Sequence, residues 1–216
     1  MTVLPFHAPH DWAAAAPVVA GHIARGGLLA YPTETVYGLG SRPLADDVAR
    51  LGALKGRAPG KPFLLLVATR HMAEQANLGF NASARALADA FWPGPLTLIL
   101  PGDGALPETL RGPEGGFAVR WTSHGGMATL IAHLGGPLTS TSANRPGGPT
   151  APGVDAILRT FRDAVDRDTL LVLDGGVLGN VPPSTVVDCT TDEPRLVREG
   201  ALPRAELRAR IGSLAP

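Results

Sequence analysis

The sequence contains one cysteine, Cys189, which excludes an intrachain disulfide framework and a cysteine-based zinc site. Its six histidines are scattered without the spacing of metal ligands, so we expect surface or packing roles for them. No apolar run approaches the ~20 residues that span a bilayer. The first residues, MTVLPFHAPHDW, also lack the basic-then-apolar pattern of a signal peptide. These absences predict a cytoplasmic protein with no membrane partner.

An excess of charge of one sign is also missing. The 19 basic residues balance 19 acidic ones, and the formal net charge is +0. This balance disfavours a protein that grips a long stretch of nucleic-acid backbone. A local basic pocket is compatible with it.

Glycine and proline are abundant, with 27 and 21 copies in 216 residues, but they follow no repeating period. Collagen-like and low-complexity chains are therefore excluded. Helix-like and strand-like patterns alternate irregularly, which predicts an α/β (α+β) fold with a twisted, mixed parallel and antiparallel sheet flanked by helices. We expect a single domain over 1–216, with a motif-bearing core over about 10–200 and a C-terminal helix or tail over 201–216.

The apolar spacing predicts individual elements. Helices are expected over 12–25, 45–55, 82–91, 127–134, 154–161 and 203–211, and strands over 28–31, 63–67, 96–100, 117–121, 137–140, 170–173, 185–187 and 195–197. Asp11 is the expected cap of the first helix, and Pro17 is expected to end or kink it. The loops at 101–116 and 144–153 are either mobile flaps or surface connections.

Several familiar nucleotide and hydrolase signatures fail. Residues 56–62 resemble a P-loop, but the glycines are one residue too close and Pro62 replaces the Ser or Thr that binds magnesium. The sequence has no G-x-G-x-x-G after a strand, no G-x-S-x-G and no H-E-x-x-H.

Lysine is almost absent, and its placement is informative. Only two of the 19 basic residues are lysines, Lys55 and Lys61, and both lie in one loop around Arg57. Three cations around two glycines suit a polyphosphate. A solvated basic loop is the equal alternative at this point.

Hydroxyl-rich segments follow two predicted strands. In the segment YPTETVYGLG at 31–40, an extended chain would put Thr33 and Thr35 on one face, where they could hold a small polar substrate or cap a helix starting near Thr35. Period two likewise places Ser140 and Ser142 together, as oxyanion donors or as part of a common turn. Ser184, Thr185 and Arg198 are further candidate donors. With no nucleophile–base pair, this inventory indicates phosphoryl or nucleotidyl chemistry run by positioning and charge.

Six motifs in order resemble the YrdC-like family of threonylcarbamoyl-AMP synthases. They are YPTETVYGLG at 31–40, KGR at 55–57, FWPGPLTLIL at 91–100, AVR at 118–120, TSAN at 141–144 and STVVD at 184–188. The resemblance runs from about 26 to 200 and implies the short, single-domain form, with a mixed α/β sheet and a concave basic groove. It implies an ATP-dependent, Mg²⁺-assisted reaction of L-threonine with bicarbonate that gives threonylcarbamoyl-AMP and pyrophosphate. A downstream transferase complex would then make tRNA threonylcarbamoyladenosine, and direct tRNA or double-stranded RNA binding is a further implied partner.

The same resemblance assigns site residues. For ATP it implies Arg57, Lys61, Gly116, Ser142, Asn144, Thr150 and Arg198, with Lys55 and Arg57 as the catalytic cations at the phosphates. For threonine it implies Thr35, Arg120, Ser140 and Ser184. It implies no protein ligand for the metal, because Mg²⁺ would bind through the ATP phosphates.

Three positions depart from the family pattern. Leu66 stands where long-form members have a threonine-contacting histidine, Gly116 replaces a threonine that contacts ATP, and Thr150 replaces a common serine. Two alternatives therefore stay open: a paralogue that binds RNA or nucleotide without adenylating threonine, and a carbamoyl-adenylate enzyme with a different donor.

Overall fold

One mixed sheet of ten strands organises the described part of the chain in the computed structural model, which covers residues 3–57, 61–104, 106–179 and 181–215. The strands are β1 (Val3–Pro5), β2 (Leu28–Tyr31), β3 (Gly38–Gly40), β4 (Leu64–Val67), β5 (Leu96–Leu100), β6 (Phe117–Trp121), β7 (Leu138–Ser142), β8 (Leu170–Asp174), β9 (Thr185–Asp188) and β10 (Arg195–Arg198). Their order across the sheet is β1-β8-β2-β3-β7-β4-β6-β5-β9-β10. Among the described strands, four neighbouring pairs are parallel (β1–β8, β2–β8, β4–β6, β5–β9) and five are antiparallel, which confirms the predicted mixed sheet.

Helices cover both faces of this sheet. They are α1 (Pro9–Ala24), α2 (Ala45–Lys55), α3 (Arg70–Gln75), α4 (Ala82–Phe91), α5 (Gly125–Leu134), α6 (Val154–Thr160), α7 (Arg162–Asp166) and α8 (Arg204–Ile211), with a 3₁₀ turn at Glu108–Leu110. Helices α1 and α5 pack together on one face. Helices α2, α4, α6, α7 and α8 contribute to the core on the other face. Among the described residues, no helix is long and apolar enough to cross a membrane.

Helix α1 differs from its prediction at its N-terminus, and it continues through Pro17. The N-cap is Ala8, and Asp11 lies inside the first turn, where its carboxylate accepts hydrogen bonds at 3.0 Å from the backbone N–H groups of His7 and Ala8. The expectation that Asp11 is the cap was therefore wrong. Pro17 does not end the helix either. Its side chain is exposed, whereas Ala16 before it and Val19 after it are buried in the same core. This packing on both sides of Pro17 stabilises the continuous helix.

Strand β3 was not predicted, because its Gly-Leu-Gly sequence has low strand propensity. The structure explains the glycines by close approach. A Cβ on Gly40 would lie 2.2 Å from the carbonyl oxygen of Thr139, and one on Gly38 would lie 2.9 Å from the ring of Tyr31. The expected alternative, a helix starting near Thr35, was wrong: residues 34–36 form a bend that leads into this strand.

Side chains alternate between the two faces of the sheet, and the face that packs against α1 and α5 is covered only in part. On β7, Leu138 packs beneath α1 and α5, and Ser140 and Ser142 follow on the same face. On the neighbouring strands, Leu66 of β4 pairs in register with Arg120 of β6. The α1–α5 pair thus covers one half of this face, and the other half carries the polar residues of the candidate site.

Candidate functional site

A cavity of about 510 Å³ lies over the uncovered half of the sheet, within the size range of small-molecule sites. It lies between the β2–β3 turn, the ends of β7 and β10, and the segment before β9. The described residues that line it are Thr33, Thr35, Val36, Gly38, Arg57, Pro62, Leu64, Thr97, Ala118, Arg120, Ser140, Thr141, Ser142, Thr150, Val181, Pro182, Pro183, Ser184, Val186 and Arg198.

The cavity brings together most of the twelve residues that the resemblance assigns. Eight of them line it: Thr35, Arg57, Arg120, Ser140, Ser142, Thr150, Ser184 and Arg198. Four do not, namely Lys55, Lys61, Gly116 and Asn144. Of the two loops considered as flaps, 144–153 contributes Thr150, whereas 101–116 contributes no described lining residue.

The threonine-rich turn after β2 is held by its own hydroxyls. The Thr33 hydroxyl donates to the carbonyl oxygen of Val36 at 2.7 Å and accepts from the backbone N–H groups of Thr35 and Val36 at 3.2 Å. Its oxygen also lies 3.1 Å from the Thr35 hydroxyl. Because Thr33 closes the turn, the buried Thr35 hydroxyl is fixed at the cavity wall.

Arg120 is a buried cation aimed at this turn. It is 4% exposed, and its Nη1 donates to the Thr35 hydroxyl at 3.2 Å. The Glu34 Oε1 atom lies 3.7 Å from the same nitrogen, and the other carboxylate oxygen accepts from the Thr122 hydroxyl at 2.6 Å. Arg120 Nε and Glu34 Oε1 have no hydrogen-bond partner among the described residues. The guanidinium therefore keeps donors available for an anionic ligand.

Lys55 lies beneath the end of β7. Its ammonium donates to the backbone oxygens of Ser142 and Asn144, both at 2.6 Å, and to Asn144 Oδ1 at 2.5 Å. The Ser142 hydroxyl donates to the same Oδ1 at 2.6 Å. Burial and the nearby Arg57 cation lower the pKa of Lys55 to about 8. The lysine thus fixes Ser142 and Asn144 and supplies positive charge under the cavity floor.

Arg57 lies at the cavity edge in a fixed orientation. It donates from Nε to the carbonyl oxygen of Lys61 at 2.8 Å, from Nη1 to the Thr141 hydroxyl at 3.0 Å, and from Nη2 to the carbonyl oxygen of Pro62 at 2.7 Å. Its guanidinium also stacks 4.8 Å from the Phe63 ring centroid. Burial lowers its pKa from the ordinary value, because desolvation disfavours the charged form.

The opposite wall is built from β5, β9 and β10. The hydroxyls of Thr97 and Ser184 lie 2.8 Å apart, and both side chains are buried. Arg198 Nη2 donates to the Ser184 carbonyl oxygen at 2.7 Å. This contact holds a third arginine at the cavity.

Two residues assigned by resemblance lie elsewhere. The Lys61 side chain is exposed. Only its backbone contacts a site residue, because its carbonyl oxygen accepts a hydrogen bond from Arg57 Nε. Gly116 lies next to β6 at the end away from Arg120, and a Cβ there would approach Thr190 Cγ2 at 2.6 Å and the Leu100 carbonyl oxygen at 2.7 Å. In this chain a threonine at 116 has no room.

The charge distribution defines what the cavity can hold. Three arginines line it, Arg57, Arg120 and Arg198, and no aspartate or glutamate occurs among its described lining residues. The described residues also contain no group of three or more His, Cys, Asp or Glu side chains placed to hold a metal ion. Hydroxyls and cations without a nucleophile–base pair suit the binding and orientation of anionic substrates.

Sequence reasoning did not assign several residues that the structure brings to the site. Glu34 belongs to the quoted 31–40 segment, yet its contact with Arg120 joins two segments far apart in the sequence. Thr97 and Thr141 also lie inside quoted motifs, so a hydroxyl count over the motifs could have found them. Residues 181–183, before β9, carry an apolar and proline sequence with no signal for a binding role.

Comparison with known proteins gives consistent matches. The Sua5/YciO/YrdC family model, described as "Telomere recombination", matches residues 22–200. A threonylcarbamoyl-AMP synthase of Chromohalobacter salexigens is 41% identical over 172 residues, which are 79% of this chain and 90% of that protein. The structure of Pyrococcus abyssi Sua5 complexed with L-threonine superposes with a TM-score of 0.88 at 31% identity, covering 100% of this chain and 62% of that one. Escherichia coli YciO gives a TM-score of 0.77 at 26% identity, covering 92% and 94% of the two chains.

The chain spans nearly the whole of the bacterial synthase but 57% of the Pyrococcus abyssi threonylcarbamoyl-AMP synthase, to which it is 35% identical. The family model covers more than half of the sequence, and these identities extend over most of the chain. On these matches, together with the ten-stranded mixed sheet, the chain belongs to the Sua5/YciO/YrdC family.

Proposed function

We propose that this chain is a threonylcarbamoyl-AMP synthase, an enzyme that joins L-threonine, bicarbonate and ATP into threonylcarbamoyl-AMP with release of pyrophosphate. The observation that carries the proposal is the cavity of about 510 Å³, in which three arginines and a set of fixed hydroxyls meet, with no carboxylate among its described lining residues. Relatives with this printed name and the threonine complex of a related structure support the choice of substrate.

Threonine is proposed to bind where Arg120, Thr35, Ser140 and Ser184 converge. The guanidinium of Arg120 is a planar fork that suits a carboxylate, and it already donates to Thr35. Ser140 and Ser184 are buried hydroxyls on the cavity walls and offer further hydrogen bonds.

ATP is proposed to bind beside it, toward Arg57, Ser142, Thr150 and Arg198, with Asn144 and Lys55 supporting Ser142 from beneath. Lys61, exposed next to Arg57, is proposed to meet the outer phosphates. Gly116 stays a proposed ATP contact on the resemblance alone. Mg²⁺ would be held by the phosphates, in keeping with the few protein ligands that this ion needs in nucleotide sites.

The chemistry follows from positioning. The threonine amine attacks the carbon of carbon dioxide and loses a proton to solvent, or attacks bicarbonate with loss of water, and either route gives a carbamate. One carbamate oxygen then attacks the α-phosphorus in line. A new O–P bond forms, the bond from the α-phosphorus to the bridging oxygen breaks, and pyrophosphate leaves with the electron pair. Holding the two reactants in register can lower the barrier by up to ~7–11 kcal/mol. Arg57 and the Lys55 charge would stabilise the leaving pyrophosphate.

The wider setting is proposed from the same resemblance. The adenylate would be consumed by a transferase complex that modifies tRNA, which implies a cytoplasmic setting. We further propose that residues 1–216 act as one domain, because the single sheet uses strands from β1 to β10. Direct RNA binding by the cavity, without adenylation of threonine, is the alternative. In the experiment below, ATP binding without pyrophosphate release would favour it.

The test is pyrophosphate release from ATP with Mg²⁺ and bicarbonate, with and without L-threonine, and with L-serine as the matched control. We expect release that needs both threonine and bicarbonate, with serine much weaker. Binding of ATP without release under any of these conditions would contradict the proposal and favour the paralogue. Release with another amine would identify a different donor.

A further inference from the structure

A second cavity, which we call the arginine groove, lies away from the candidate active site and has a volume of about 830 Å³. It is formed by the end of α1, the exposed side of α2, and the α6–α7 segment with the turn that follows. The described residues that line the two cavities do not overlap. A function of the groove would therefore be separate from the chemistry described above.

Six arginines from four stretches of chain line this groove. They are Arg25, Arg50, Arg145, Arg159, Arg162 and Arg167. The described lining residues contain only two carboxylates, Asp163 and Asp168. In a chain with zero net charge, this is a local concentration of positive charge.

Two of the six arginines are anchored by the protein. Arg50 donates from Nε to the Gly26 carbonyl oxygen at 3.1 Å and forms an ion pair with the buried Asp47. Arg145 donates from Nη1 to the Leu54 carbonyl oxygen at 2.8 Å, and its guanidinium lies 5.1 Å from the Phe161 ring centroid. These contacts fix two guanidinium groups at the wall of the groove.

The other four, Arg25, Arg159, Arg162 and Arg167, are exposed. Among the described residues they form no ion pair and no side-chain hydrogen bond within the structure. Solvent, salt and the two lining carboxylates relieve their repulsion in part, and a bound polyanion would relieve it further. Arginine also binds phosphate with two parallel hydrogen bonds, which a lysine ammonium does not.

We propose that the arginine groove is a second anion-binding site and that it takes a ligand with two or more phosphate groups in a row. The groove is too large for a single phosphate, and its cations come from separate stretches of chain, so that several phosphates can be contacted at once. Such a ligand is either a free oligophosphate or a stretch of nucleic-acid backbone, which share the same chemistry.

The groove also has a physical connection to the candidate active site. Arg145 binds the carbonyl oxygen of Leu54, and the adjacent Lys55 binds Asn144 and Ser142 at the cavity floor. The two cavities thus share the end of α2 and the segment after β7. Arg145 itself follows Ser142 by three residues on this segment.

The test uses calorimetry on the full chain carrying Arg57→Ala, so that binding of phosphates in the active cavity is weakened. Inorganic tripolyphosphate and a single-stranded RNA 12-mer are titrated separately. The groove variant adds Arg25→Gln and Arg162→Gln. The matched control adds Arg208→Gln and Arg210→Gln, which remove the same charge from exposed positions of α8 outside both cavities.

We expect saturable binding that falls at least ten-fold in the groove variant and less than two-fold in the control. Tighter binding of tripolyphosphate would identify a free oligophosphate. Tighter binding of RNA, with a salt slope reduced by about 1.4 in the groove variant, would identify a nucleic-acid backbone.

Three results would overturn the proposal: no binding of either probe, equal losses in the groove variant and the control, or equally tight binding of a hexaglutamate peptide. Thermal unfolding of each variant shows whether it is folded. If the double groove variant is not, Arg159→Gln alone takes its place in the binding experiment. Pyrophosphate release is measured with the two groove substitutions in a protein that keeps Arg57. It should stay within two-fold of the wild-type rate, since neither Arg25 nor Arg162 lines the active cavity.

Discussion

The two arginine-lined cavities use the same side chain in different ways. In the candidate active site, each of the three arginines donates hydrogen bonds to protein oxygens, and Arg120 is almost fully buried. In the arginine groove, all six arginines are exposed, and four of them have no such partner among the described residues.

This difference separates positioning from attraction. A guanidinium held by several hydrogen bonds presents its remaining donors at a fixed point, as a reaction between two bound substrates requires. A mobile, solvated guanidinium attracts an anion but defines its position poorly, and a surface charge is weakened by salt. We therefore expect substitutions in the cavity to change catalysis strongly and substitutions in the groove to leave it nearly unchanged.

The largest effect on turnover should come from Arg57→Ala. Loss of a charge-assisted contact with ATP costs about 1.5–3 kcal/mol, so we expect a fall of about 100-fold in kcat/KM for ATP. Steady-state pyrophosphate release measures it, and Arg25→Ala in the groove is the control. Equal losses in both variants would show that the cavity has no special role.

Lys55→Met should affect both binding and stability. The substitution leaves the oxygens of Ser142 and Asn144 without their donor, which costs about 1–3 kcal/mol of unfolding free energy. We expect KM for ATP to rise about ten-fold as the floor of the cavity loosens. Denaturant unfolding and kinetics are measured together; a raised KM with unchanged stability would instead place the ammonium on the phosphates themselves.

Glu34→Gln should separate two roles of one carboxylate. It removes the negative charge next to Arg120, so the free protein should lose stability while threonine, now the main partner of Arg120, binds about five-fold more tightly. Thermal unfolding with and without threonine gives both quantities. Weaker threonine binding at unchanged stability would contradict this interpretation.

The smallest effect is a pH dependence. The Lys55 pKa is lowered to about 8, so the ammonium is charged below that pH and loses its proton as the pH rises through about 8. ATP affinity should therefore fall several-fold between pH 7 and pH 9. The same titration of Lys55→Met should lack this change, and an identical fall in both proteins would assign it to another group.

The sequence predicts the elements of this fold better than their arrangement. The periodic helices α2 and α4 lie at their predicted positions, because their apolar spacing reflects burial on one side. Strands β1 and β3 and the short helices α3 and α7 were missed, because their glycines or their short length leave no periodic signal. The strand order depends on pairings between distant segments, for which a single sequence holds no direct signal.

The candidate site shows the same limit. The resemblance names eight residues that line the cavity, and five of them, Thr35, Arg57, Arg120, Ser142 and Ser184, lie inside the quoted motifs. The position of Lys55 beneath Ser142 and the pairing of Glu34 with Arg120 depend on contacts across more than 80 residues of chain. Local spacing therefore suggests the chemistry of the site but not which cation touches the substrate and which one supports it.

The most direct test of the difference between the cavities is calorimetric binding of L-threonine to the wild type, Arg120→Gln and Arg162→Gln. Arg120 lines the active cavity beside Thr35, and Arg162 lines the groove. We expect Arg120→Gln to lose at least 100-fold in affinity and Arg162→Gln to bind like the wild type. Threonine binding that survives Arg120→Gln unchanged would contradict the assignment of the cavity as the amino-acid site.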